Sequence, residues 1–389
     1  MTAPAPFADL RDQLTAAGPL AAADALCDRL RQAEDFQALF YALLLKKRVQ
    51  LGVSPFPTGP AADLPESTHA EYEQAIREAG REVGGIYLKR NDLFKAWGFF
   101  RMLGEPEPVR AALEAYTPGE DDDIYGVVDI AWQQGVHPTK GFDLVLTRSG
   151  ICSAITMVGG ADLSRSPDVR DYCVKGLVRA LHAQLKERLT GDLTGRGVSV
   201  PADVTVRELI AGRDFLFADD SYHIDTSHLS SVVQFAMHLP PCPEHDLAAE
   251  LCEYGAKLSP NLQGDTHPPF ENGYADYRVY LGVVADHDRE AGIAHFQAKL
   301  PAAKEMGNTL PAEVLVNLLL KIDRLPQAVA VAREHLADVG EQELSCPPLA
   351  ELARRAKDYP TLAAAAERSG DAVTFLAGLI AGTTSGARG

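Results

Sequence analysis

The densest group of residues able to do chemistry is Asp219-Asp220-Ser221-Tyr222-His223-Ile224-Asp225-Thr226-Ser227-His228, with two imidazoles and three carboxylates within ten positions. Imidazole nitrogen and carboxylate oxygen are the donors that zinc, manganese and iron accept. One reading is therefore a metal site with His223, Asp225 and His228 as ligands and Asp219 or Asp220 holding them from behind. The other is helix capping: Asp225 or Thr226 accepts from the first amides of the helix carrying Leu229, Val232, Val233 and Ala236, and His228 borders that apolar stripe. The spacing His223-x-Asp225-x-x-His228 lacks the helical i, i+4 pair that places two ligands on one face. Capping is thus the preferred reading and no cofactor is expected, the alternative being a divalent transition metal.

A second polar group is Thr266-His267-Pro268-Pro269-Phe270-Glu271-Asn272-Gly273-Tyr274-Ala275-Asp276-Tyr277-Arg278. Loops held between rigid helices are where binding residues gather. His267, Glu271, Tyr277 and Arg278 are candidate pocket residues, together with His137, Asp219, Asp220 and Tyr222. The bland alternative is a connecting loop whose aromatics pack inward, and His137 before Pro138 is read first as a hydrogen-bonded turn residue. Convergence of His137, His223 and His267 on one cavity would mark a site. Neither a GxxxxGK[ST] loop, a strand-associated GxGxxG nor a GxSxG elbow occurs. Cys152, in Gly150-Ile151-Cys152-Ser153, is read as a buried, inert thiol.

The elements that must position these groups are helical. Apolar residues recur at helical spacing over Leu20–Leu30, Phe36–Leu51, Ser67–Lys89, Phe142–Val158 and from Pro167 through Val174, Leu177, Val178, Leu181 and Leu185, while period-two runs are nearly lacking. An all-α protein is expected, with more than about half of its residues helical. Three stretches share a pattern in which an apolar helix ends at Asn91, Asp286 or Asp323 and a small residue, Ala96, Ala291 or Ala328, follows five positions later. A small residue there lets paired helices approach closely. On that basis Ala328→Trp is expected to destabilise more than Ala366→Trp, which lies in a weaker terminal pair.

The stretch Asn91-Asp92-Leu93-Phe94-Lys95-Ala96-Trp97-Gly98-Phe99-Phe100 resembles the turn of tetratricopeptide-like repeats, with a small residue followed four positions later by a bulky one. The resemblance covers the two ends of the chain, about half of it. Ala291 and Ala328 are 37 positions apart where the family repeats at about 34, and Ala332 stands where a bulky residue would follow Ala328. The resemblance implies a superhelical scaffold with a concave face and brings no catalytic residues.

The expected organisation is a helical-repeat region over 1–118, an irregular helical segment with polar loops over 119–272, further helical repeats over 273–381 and a disordered tail over 382–389. A formal charge of -17 opposes binding to nucleic acid or to anionic membranes. The start Met1-Thr2-Ala3-Pro4-Ala5-Pro6 carries no basic-then-apolar secretion signal, and no run of about 18 apolar residues occurs. Six cysteines without a CxxC pair suit buried reduced thiols in the cytoplasm. The function expected is a scaffold that binds a protein or peptide through a concave groove. A metal-dependent enzyme or small-molecule binder built on His137, 219–228 and 266–278 is the alternative.

Overall fold

The computed structural model describes residues 7–56, 58–61 and 64–386. All of its regular structure is helical: twenty α-helices and no strand are present among the described residues. The chain divides into two compact units, one ending at Arg148 and the other beginning at Ser149, so the division falls within the segment expected as central. Residues 1–6, where a leader was sought, lie outside the described residues.

The first unit holds α1 (Ala8–Gln32), α2 (Phe36–Gln50), α3 (Glu66–Lys89), α4 (Leu93–Leu103), α5 (Glu107–Ala115), α6 (Tyr125–Val128) and α7 (Pro138–Arg148), with a π-helical turn at Asp129–Gln133. Helix α1 begins twelve residues before the Leu20 start expected, and bends where Gly18 leaves helical geometry ahead of Pro19. Helices α1 to α5 pack on their neighbours in sequence. Close approach of α3 and α4 comes from Gly84, where a Cβ would lie 2.8 Å from the Phe100 ring, and from Gly80, which faces Leu103.

The second unit holds α8 (Gly150–Gly159), α9 (Pro167–Gly195), α10 (Val206–Ile210), α11 (Thr226–Ala236), α12 (Glu244–Gly255), α13 (Tyr274–Val284), α14 (Arg289–Gln297), α15 (Leu300–Glu305), α16 (Leu310–Lys321), α17 (Leu325–His335), α18 (Leu349–Ala356), α19 (Tyr359–Ser369) and α20 (Ala372–Gly386). The stripe of α9 is buried as expected, from Val174 through Leu185, and continues to Leu189 and Leu193. From α16 onward each helix packs on the next: α16 on α17, α17 on α18, α18 on α19, α19 on α20.

One turn recurs between paired helices. Glu34, Asn91, Asp323 and Lys357 all take left-handed backbone geometry, with φ of 57, 58, 59 and 56°. The next residue's N–H then closes the preceding helix: Asp35 to the Leu30 carbonyl at 3.0 Å, Asp92 to Tyr87 at 3.0 Å, Arg324 to Leu319 at 2.8 Å and Asp358 to Ala353 at 2.9 Å. This satisfies a carbonyl that the helix end leaves unpaired. Where the next residue is Asp it also caps the following helix, accepting from Ala38, Lys95 or Thr361. In the turn at Asp323 that cap is missing, and Pro326 in the first turn of α17 removes a donor instead.

Two of the three expected close-approach residues hold their place. Ala96 and Ala328, four positions after the caps of α4 and α17, are wholly buried. Ala291 does not: it is exposed, and Gly292 takes the position. The turn after α13 carries one extra residue, His287, which moves the cap to Asp288 and the register by one. The same position in α2 and α19 is Leu39 and Leu362, both buried, so the turn recurs where the small residue does not.

Other expectations change for local reasons. The single helix expected over Phe142–Val158 is broken at Gly150, which takes φ 82°, into α7 and α8. Helix α8 turns Ala154, Ile155 and Val158 inward and Cys152 outward, so that thiol is exposed; Cys242 is half-buried. Ala366 is 1% exposed, as closed in as Ala328, so Trp is expected to overpack both sites and the contrast between them falls away. The tail expected to be disordered from Gly382 is helical as far as Gly386, because Gly378 and Gly382 let α20 lie close on Leu362, Ala363 and Tyr359 of α19; residues 387–389 lie outside the described residues. No helix among the described residues is long and apolar enough to cross a membrane.

Candidate functional site

His137 belongs to the first unit and the other candidates to the second. Its Nε2 lies 2.5 Å from Glu114 Oε2, and its Nδ1 accepts from the Lys140 N–H at 3.4 Å at the start of α7. It is a hydrogen-bonded turn residue.

In the second unit, the 219–228 segment spreads its polar groups. Asp219 and Asp220 end a 3₁₀ turn, both in left-handed geometry and both exposed, and Tyr222 is exposed beside them. His223 turns inward. Its backbone N–H donates to Tyr254 Oη at 2.7 Å, and its ring nitrogens lie 3.3 Å from Tyr254 Oη and from Asp192 Oδ2. It therefore pins this loop between α9 and α12. Burial pushes the Tyr254 phenol up to about 12, while Arg196 first and His223 second hold the Asp192 carboxyl below its usual range.

Asp225 caps α11. Its Oδ1 accepts from the Ser227 N–H at 2.8 Å and the His228 N–H at 3.3 Å. The Ser227 hydroxyl donates to the same oxygen, and these bonds hold the carboxyl low. No hydrogen bond joins the His223 and His228 rings, and no group of three His, Cys, Asp or Glu able to hold a metal ion occurs among the described residues. Asp225→Ala is expected to lower stability by about 0.5 to 2 kcal/mol, and a chelator to leave the wild-type urea midpoint unmoved. Loss of stability on adding chelator would restore the metal reading.

The 266–278 loop has a charged centre of which Glu271 is the one residue singled out from the sequence. Asp276, 1% exposed, accepts from Lys299 Nζ at 2.8 Å and from the Asn272 N–H at 2.8 Å, with His295 Nε2 at 2.7 Å. Lys299 also reaches Glu271 at 2.6 Å and the Pro269 carbonyl. Burial pushes the Asp276 carboxyl up, but Lys299, the Asn272 backbone and His295 outweigh it and hold it low. His267 is exposed, and its carbonyl accepts from Phe270 N–H. Tyr277 stacks on Phe270 with ring centres 4.5 Å apart, and Arg278 lies 3.8 Å from Glu253. A His beside a buried carboxylate is the pairing that orients a catalytic base. Here no Ser, Thr or Cys side chain is hydrogen-bonded to His295 among the described residues, and the network ties α14 to the start of α13.

Sequence reasoning missed a cavity of the second unit lined by basic side chains. It has a volume of about 560 Å³ and is lined by Arg170 of α9, Met237 and His238 after α11, Tyr280 of α13, and Asn317 and Lys321 of α16. Lys321 Nζ donates to the His238 carbonyl at 3.0 Å and the Leu239 carbonyl at 3.2 Å. Burial first and Arg170 second push its pKa down. Partial burial, Lys321 and Arg170 push His238 down as well. The only trace of this cavity in the sequence is Lys321 in the last turn of an otherwise apolar helix, and a cation in that place is common on dipole grounds alone.

Comparison of the chain with known protein families, characterised proteins and solved structures gives no match.

Proposed function

We propose that this chain is a tetratricopeptide-like helical-repeat scaffold that holds a protein or peptide partner in a groove walled by the first helices of successive pairs. The observation that carries the reading is the turn at Glu34, Asn91, Asp323 and Lys357, in which the same left-handed residue and the same closing hydrogen bond join four helix pairs. Repeated helix pairs stacked on their neighbours turn equivalent helices to one side, and such arrays use that side for recognition. Helices α13 and α16, each the first of its pair, both line the cavity at His238, which suits a groove on that side. His223 and His295 are spent on cross-links between elements, which favours binding over catalysis. A cytoplasmic setting accords with the buried, unpaired thiols of Cys27, Cys252 and Cys346.

Panning a random peptide library on the full chain tests this. Enriched peptides are expected to bind saturably and to slow amide exchange on the first helices α13 and α16. Failure to enrich any saturable binder, or protection confined to α14 and α17, would count against it.

A further inference from the structure

The cavity between α9, α11, α13 and α16 is lined by basic side chains in an acidic chain. The molecule carries a formal charge of -17, yet Arg170, His238 and Lys321 line this cavity and no carboxylate does. The cavity beside Arg368 is lined by Asp338 and Glu341, and one in the first unit by Asp92, Asp122 and Asp123 beside Arg90.

The donors here are only partly used. An ammonium has three N–H donors and a guanidinium five. Lys321 gives two contacts to carbonyls and has no carboxylate within ion-pairing distance among the described residues. Arg170 turns Nε and Nη2 to Asp171 Oδ1, at 2.9 and 2.8 Å, which leaves Nη1. The His238 ring makes no hydrogen bond among the described residues, nor does the Tyr280 hydroxyl. A role for Lys321 as a cap on the carbonyls after α11 explains its two contacts. It does not explain why the Arg170 guanidinium and the His238 imidazole border the same space.

We propose that this cavity binds a small organic molecule through an oxyanion, phosphate or carboxylate, held by Lys321, His238 and the outer face of Arg170. Val314, Leu320 and the Tyr280 ring offer the apolar wall for the rest of the ligand, and the volume lies within the range of small-molecule sites, about 300 to 1,000 Å³. Partial burial and the nearby Arg170, itself paired with Asp171, disfavour the charged forms of Lys321 and His238. A bound anion relieves that cost, so part of its affinity is prepared in the empty cavity. The site stands whether or not α13 and α16 also grip a peptide.

Titrating the full chain with inorganic phosphate and with citrate at constant ionic strength, by calorimetry and by amide NMR shifts at 237–239 and 317–321, tests the assignment. At least one anion is expected to bind saturably with one-to-one stoichiometry. His238→Gln and Lys321→Met are each expected to weaken binding by at least about tenfold. Binding of phosphate alone identifies a phosphate-bearing ligand, and of citrate alone a carboxylate. The His238 ring has no hydrogen-bond partner among the described residues, so its variant tests the site even if Lys321→Met fails to fold. Saturable binding of neither anion, or binding that both folded variants retain unchanged, would overturn the proposal.

Discussion

Gly292→Leu is expected to destabilise the second unit by about 2 to 3 kcal/mol, the cost of overpacking a closed contact. Ala291→Leu, one residue earlier, is expected to change stability by less than about 0.5 kcal/mol. A Cβ on Gly292 would fall 2.2 Å from Val283 Cγ2 and 3.3 Å from Val279 Cγ1, both on α13. Val283 is wholly buried, and a β-branched side chain in a helix has essentially one rotamer, so it cannot step aside. Replacing Gly in a helix returns about 1 kcal/mol of propensity, which makes Gly292→Ala a poor test and the larger side chain a good one. Ala291 is exposed, and Leu is nearly as good a helix former as Ala. Urea unfolding of the two variants gives the register directly. If Ala291→Leu proved the damaging change, the close contact would follow the Asp286 spacing and the extra residue at His287 would not shift it.

Asp276→Asn is expected to cost about 3 to 5 kcal/mol at neutral pH, because it removes the charge that neutralises a buried partner. The Lys299 side chain is 14% exposed and would retain only Glu271 and a carbonyl. His295 and the Asn272 N–H lose their charged acceptor in the same step. The sign of the pH dependence follows from the carboxyl being held low in the folded chain. A group whose pKa falls on folding binds fewer protons when folded, so its contribution is full above the unfolded value near 4 and is lost as the pH falls through the folded value. The stability gap between wild type and Asp276→Asn is therefore expected to be constant from neutral pH to about 5 and to narrow below about 4. Urea midpoints of both proteins across that range measure it. A gap that stayed constant to pH 3, or was absent at pH 7, would mean that the Asp276 charge does not hold α14 to the start of α13.

Helices whose amphipathic pattern is local were legible in the sequence, and so was one of the two polar groups. The apolar spacing of α2, of α3 and of the α9 stripe is a property of consecutive residues. Asp225 could be read as a cap because a cap and the amides it serves are neighbours. The breaks between helices at Glu34 and Lys357 were legible, but not that they share the Asn91 turn, because a left-handed Glu or Lys carries no mark in the sequence, unlike Gly or Asn. Searching for a small residue after the turn selected for close packing, and the pairs with Leu39 and Leu362 have none. Asp276 was quoted in its loop but not weighted, since its partners His295 and Lys299 lie on and after the next helix. The basic side chains of the cavity come from α9, from the end of α11 and from α16, and only tertiary packing brings them together.

The packing of α16 to α20, each on the next, bears on how the molecule comes apart. Where helices contact mainly their sequence neighbours, stability is close to a sum of local terms, and separate segments open at different free energies. Helix α20 has α19 on one side and leaves Val373, Leu376 and Ile380 exposed on the other. Its amides should exchange with deuterium first, those of α19 and α18 next, and those of α16, with Leu315, Val316, Leu318 and Leu319 closed in, last. Unfolding of this unit is then a fraying that travels inward, and a single melting temperature averages over states that differ in how many helices remain.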